Sequence, residues 1–180
     1  MKIKIAFSTA LIVVLFMSGC AKLLDIKFKA DFPADIPVVV SPASGINNVS
    51  NVSFSQSVTI DPTSDAEVSK YLHYIKSWTV NEITANFKNV SKPVTLVNGV
   101  LEVKNASRTA TWSFNNVTIN NGASLTINND NGQMDQLGAI LSDKNSFTVK
   151  LSGTTNTGGV SFTLSMVIKT TVIANPIGAK

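Results

Sequence analysis

The chain has 180 residues, 44% of them hydrophobic and only 14% charged, with 15 lysines and arginines against 11 acids and a formal net charge of +4. Arginine occurs once, at Arg108, and the lysines form no stripe, so the basic footprint that nucleic acid binding needs is missing. The single cysteine, Cys20, excludes a disulfide framework and a thiolate zinc site, and leaves stability to the packing of one core.

Lys2 and Lys4 make a short positive segment, Ile5 to Met17 run almost wholly apolar, and Ser18-Gly19 set small residues directly before Cys20. This is the layout of a removable secretory signal, and the apolar run falls short of the ~20 residues a membrane span needs. Met17-Ser18-Gly19-Cys20 resembles the lipobox of bacterial lipoproteins, with Met17 standing where the family usually has leucine. The resemblance implies that residues 1–19 are removed, that Cys20 is acylated and becomes the N-terminus, and that residues 20–180 form a single mature domain. Each buried methylene of an acyl chain adds about 0.8 kcal/mol of membrane affinity, so two or more chains anchor stably. Ala21 replaces the aspartate that retains many such proteins at the inner membrane, and no acidic run follows Cys20. By the same resemblance, the expected location is the outer membrane, facing the periplasm. The implied partners are the membrane, through acylated Cys20, and an envelope protein or a lipid.

Beyond Cys20 the dominant signal is alternation with a period of two. Leu24, Ile26, Phe28 and Ala30 form a half-buried strand almost at the anchor, which leaves little tether and lets Lys22, Lys27 and Lys29 approach headgroups. Pro33 and Pro37 bracket a turn, and Val38 to Val40 read as an edge strand. Val52, Phe54, Val58 and Ile60 continue the pattern, with Gln56 interrupting it at a possible bulge. Asp61-Pro62-Thr63 is a breaker before a helix over Ser64–Ile75, opened by a capping box at Ser64 and Glu67 and docked through Val68, Leu72 and Ile75.

Trp78, Val80, Ile83, Ala85 and Phe87 alternate with a phase shift near Asn81-Glu82. Val94 to Val97 and Val100 to Val103 flank Asn98-Gly99, a strong hairpin signal. Ala110 to Ile119 form a long strand with a shift at Asn115-Asn116, and a turn at Asn120-Asn121-Gly122 leads to a short strand at Leu125 and Ile127. A second helix spans Asn131 to Leu141, weakened by Gly132 and Gly138. Phe147 to Leu151 and Val160 to Ile168 close the chain as a hairpin. The total is about ten strands and two short helices, an all-β antiparallel sandwich.

The chemistry-bearing residues are sparse. His73, the only histidine, has no carboxylate or second histidine near it in sequence, and no Gly-x-Ser-x-Gly elbow is present. Glu82 and Glu102 are the strand carboxylates that a glycosidase-like pair would have to use. Asn128 to Gly132 resembles an oxygen-rich calcium loop but fails the required register, and reads as a turn into a helix. No catalytic group, metal site or cofactor motif is therefore assigned. Trp78 and Trp112 lie in phase with core residues; with Tyr71 they are the candidate ligand-facing aromatics. The expected function is a non-catalytic, membrane-anchored binding or structural module of the envelope. The alternative is a carrier holding a lipid or other apolar ligand between sheet and helix, near Phe87, Trp112 and Phe162.

Overall fold

The computed structural model describes residues 25–42 and 51–177. The lipobox residues Met17, Ser18, Gly19 and Cys20 lie outside the described residues, as does the whole signal segment 1–19.

Among the described residues, seven strands form two antiparallel sheets, an all-β sandwich. The strands are β1 (Ile26–Val40), β2 (Val52–Ile60), β3 (Ile75–Lys88), β4 (Val94–Lys104), β5 (Thr109–Ile119), β6 (Phe147–Thr155) and β7 (Val160–Ala174). One sheet has the order β1-β7-β3 and the other β2-β6-β4-β5. Strand β7 shows the organising pattern most plainly. Every second residue from Val160 to Ala174 is buried, and the intervening Ser, Thr and Lys residues face outward. Phe162, Leu164, Met166 and Ile168 of β7 meet Phe147, Val149 and Leu151 of β6 and Leu101 and Val103 of β4 in one core cluster. A fully buried side chain of this size contributes roughly 1.5–3 kcal/mol by leaving water, and the alternation places them all on one side of each sheet.

Two helices close the sandwich. Helix α1 (Ala66–Tyr71) is followed by a 3₁₀ turn over Leu72–Tyr74 that leads straight into β3. Helix α2 (Gln133–Ser142) packs against β3 and β5, covering the gap between the outer strands of the two sheets. The opposite seam is closed by β1 against β2.

The number of strands is smaller than the sequence pattern suggests, for three local reasons. First, β1 runs unbroken through Pro33 and Pro37, where a turn is expected. Among the described residues it is an edge strand paired only with β7, so alternate N–H positions face away from that partner. Both prolines share one parity, on the exposed face, and can occupy such positions without losing a ladder bond. Second, Asn98-Gly99 is not a hairpin turn but the interior of β4. Third, Leu125 and Ile127 form no strand. Instead the Phe87 N–H donates to the Ala123 carbonyl and the Leu125 N–H to the Ala85 carbonyl, so this short segment covers part of the outer edge of β3.

The first helix also begins later and ends earlier than expected. Asp61 caps its own 3₁₀ turn over Pro62–Ser64 by accepting the Thr63 N–H, which takes Ser64 out of the capping position. Asp65 is the N-cap instead, its carboxylate accepting from the Glu67 and Val68 N–H groups at 3.0 and 2.9 Å. Ile75 belongs to β3. Gln56 interrupts the apolar pattern without a bulge, since β2 and β6 stay in continuous register. The expected bulge near Asn81 is present, between Val80 and Glu82 in the β3–β7 pairing.

Candidate functional site

The three candidate aromatics are not brought to one place. Trp78 stands on β3 with its ring against Phe32, centroids 5.9 Å apart, and Phe32 in turn meets Phe147 edge-on at 6.5 Å. It is a core residue, yet its buried Nε1 has no hydrogen-bond partner among the described residues. Trp112, on β5 in the other sheet, is buried and donates its Nε1–H to the Asn128 carbonyl at 2.8 Å. That bond holds the chain leading into α2 against the sheet. Tyr71 is half-buried at the end of α1, packed on Phe28 at 5.7 Å, with the Lys70 ammonium 4.8 Å from its ring centre. The Tyr71 phenol raises the Lys70 pKa, with Glu67 adding to the effect.

The interior where an apolar ligand would sit is occupied by the protein's own rings. Phe162 meets Phe54 at 5.7 Å and Phe87 at 5.6 Å, both edge-to-face, and all three are buried. Trp112 lines a different feature, a groove of about 220 Å³ shared with Asn128, Asp130, Asn131 and Gln133.

The carboxylates do not converge either. Glu82 lies on the outer face of the three-stranded sheet, paired to Lys169 at 2.9 Å. Glu102 lies on the outer face of the four-stranded sheet, between the buried Leu101 and Val103, with Lys104 at 2.9 Å. The two acids therefore point away from each other on opposite sides of the sandwich and cannot flank one bond. Glu82 holds the Lys169 pKa above its usual value. His73 is exposed on the 3₁₀ turn.

The Asn128–Gly132 loop uses its oxygens on itself. Asn129 Oδ1 accepts the Met134 N–H at 2.8 Å, Gln133 Oε1 accepts the Asn131 N–H at 2.9 Å, and the Asn128 amide donates to Asp130. Gly132, at φ 72°, turns the chain into α2. A larger groove of about 500 Å³ runs along the β1–β2 seam, with Asp31, Asp61 and Asp65 on its walls. No group of three or more His, Cys, Asp or Glu residues suited to a metal ion occurs among the described residues.

The densest polar cluster joins the β4–β5 loop to the end of α2. Asp143 accepts from Arg108 Nη1 at 2.6 Å and from the Asn105 amide at 2.7 Å, while Arg108 also reaches the Ala139 carbonyl at 3.1 Å. Arg108 first, then Asn105, hold the Asp143 pKa below the ordinary carboxylate value. The Arg108 bond satisfies the Ala139 carbonyl, which the helix end would otherwise leave open, and the cluster reads as a clamp on α2. Sequence reasoning missed it because its members lie more than thirty positions apart.

Comparisons with family models, with curated proteins and with solved structures each returned no match. The protein's class is thus defined by its architecture: an all-β sandwich of two antiparallel sheets, with alternation that buries one face of each.

Proposed function

We propose that this chain is a membrane-anchored lipoprotein of the bacterial envelope, and that its folded domain serves as a non-catalytic binding or structural module. The observation that carries this reading is Met17-Ser18-Gly19-Cys20 at the end of the apolar Ile5–Met17 run, preceded by Lys2 and Lys4. The separation of Glu82 from Glu102, and the self-satisfied loop oxygens at Asn128–Gly132, support a role in binding rather than turnover. Acylation at Cys20 places the domain on a membrane, and Ala21 favours the outer membrane with the domain facing the periplasm.

The test is the intact mass of the protein recovered from a bacterial envelope fraction. The expected result is loss of residues 1–19 and a mass gain on Cys20 corresponding to acyl chains. Cys20→Ala should lose the acyl mass and retain residues 1–19. An unmodified, uncleaved chain in the envelope would overturn the reading. Crosslinking of the lipidated protein in its own envelope then identifies the component it binds.

A further inference from the structure

Four large apolar side chains are exposed among the described residues: Ile26 at 36%, Tyr74 at 37%, Val39 at 69% and Ile177 at 70%. Three of them gather at one end of the sandwich. There the Asp25 carboxylate accepts from the Asn175 amide at 2.8 Å and from the Lys76 ammonium at 2.9 Å. The Asn175 N–H donates to the Tyr74 carbonyl at 2.8 Å, and Asn175 Oδ1 accepts the Ile177 N–H at 3.1 Å. This staple ties together the start of β1, the start of β3 and the end of β7, so Ile26, Tyr74 and Ile177 each lie within two residues of it. Ile26 has the core-facing parity of Phe28, Ala30 and Phe32, yet it stands past the last layer of the core and is uncovered. At the other end of β1 Val39 stands alone, more than ten residues of extended strand away.

We propose that this end of the sandwich is a membrane-docking surface, seating Ile26, Tyr74 and Ile177 in the interfacial region of the bilayer to which Cys20 is anchored. The proposal rests on the lipoprotein reading and assigns it an orientation. An extended residue spans at most about 3.6 Å, so the five steps from Cys20 to Asp25 reach no farther than roughly 18 Å. Strand β1 is 15 residues long, or about 50 Å at a rise of ~3.3 Å per residue. An anchor at Cys20 can therefore bring the Asp25 end to the membrane but not the Val40 end, unless the domain lies on its side. A tyrosine with an apolar ring and a polar tip suits the headgroup boundary, and isoleucines suit the layer beneath. Charge adds a smaller attraction: Lys76 is paired with Asp25, while the Lys144 ammonium sits on the Leu72 carbonyl two residues from Tyr74, so apolar insertion is joined by a salt-sensitive pull toward anionic headgroups.

The test uses the full lipidated chain in phosphatidylcholine vesicles carrying about 30% phosphatidylglycerol, a membrane of stated negative charge, with bromine on the acyl chains. Tyr74→Trp, Ile177→Trp and Val39→Trp are compared after subtracting the wild-type signal of Trp78 and Trp112. The expected result is about twofold quenching for Tyr74→Trp and Ile177→Trp and none for Val39→Trp, weakened but not abolished at high salt. Should Tyr74→Trp disturb folding, Ile177→Trp near the chain end carries the same reading. Equal quenching at all three positions, or none at the first two, overturns the docking surface. A concentration-dependent blue shift without quenching overturns it too, in favour of a second copy as occupant. Intact mass separates the two failures. Acyl chains present without quenching leave the anchor standing and remove the docking surface. If acyl chains are absent, the same chain is added to the same vesicles: quenching at positions 74 and 177 retains the surface without the anchor, and its absence removes both.

Discussion

Gly99 on β4 and Gly153 on β6 face each other across the four-stranded sheet, and the Leu96 side chain lies over both. A Cβ on Gly99 would come within 2.5 Å of Leu96 Cδ2, and one on Gly153 within 3.1 Å of Cδ1. The row continues outward to Phe54 beyond Gly153 and Phe114 beyond Gly99. Missing side chains at the centre are thus replaced by a leucine folded back from two turns of the pleat away, next to the register shift between Leu96 and Asn98. Gly99 is needed for close approach, which is why Asn98-Gly99 sits inside a strand rather than turning a hairpin.

This relationship predicts different behaviour for two similar substitutions. Gly99→Ala meets only the Leu96 side chain and should cost about 1–3 kcal/mol by overpacking. Leu96→Ala alone should cost about 2–5 kcal/mol through the cavity it leaves. The double variant should be less destabilised than the sum of the two, because the removed leucine makes room for the new methyl. Gly153→Ala should keep most of its penalty in the Leu96→Ala background, since its new Cβ also meets the Asn98 carbonyl. Urea unfolding of Gly99→Ala, Gly153→Ala, Leu96→Ala and the two double variants checks this.

Proline position in the three-stranded sheet gives a second contrast. Val167 pairs with Pro33 on one side and Thr84 on the other. Val167→Pro should unfold the domain or cost about 3 kcal/mol or more, because a central strand cannot give up a ladder bond. The reverse changes, Pro33→Thr and Pro37→Thr, should leave the fold intact but unguard the β1 edge. Light scattering at rising protein concentration should then show self-association that the parent lacks.

The cap of α1 can be located by substitution. Asp65→Ala should lower stability by about 1 kcal/mol, since two helix N–H groups lose their acceptor. Ser64→Ala loses only a hydroxyl donated to the Asp61 carbonyl and should have a smaller effect in the same thermal unfolding experiment.

Asp143 sets a sign for acid sensitivity. Its pKa is lowered in the folded protein, chiefly by Arg108 and then by Asn105. A lowered pKa means stability that is present above the ordinary carboxylate value of about 3.9 and lost as pH falls through the folded value. Asp143→Asn should be less stable than the parent at pH 7, and the difference should shrink in acid. Denaturant curves at pH 7 and below pH 4 compare the two directly.

Gly138 faces the Trp78 carbonyl, but a Cβ there would lie 3.6 Å from it, an ordinary contact. Gly138→Ala should therefore stabilise α2 by roughly 0.5–1 kcal/mol through helix propensity alone, read as a higher midpoint in urea.

Fold class was legible in the residues alone, because period-two alternation on segments such as Val160 to Ala174 forces one face of each strand into a shared core. The sequence also placed Trp78 and Trp112 by phase, located the bulge at Asn81 and set a second helix over Asn131 to Leu141, where the observed one runs Gln133–Ser142. Features whose partners are distant in the chain emerge only in the folded molecule. Pro33 and Pro37 look like breakers until β1 is known to be an edge, and Asn98-Gly99 looks like a turn until Gly153 is opposite. The Asp25–Asn175 bond joins residues 150 positions apart, and the Arg108–Asp143 clamp spans 35. Local propensity cannot register such bonds, because their free energy exists only after the sheets have assembled and brought the two ends of the chain together.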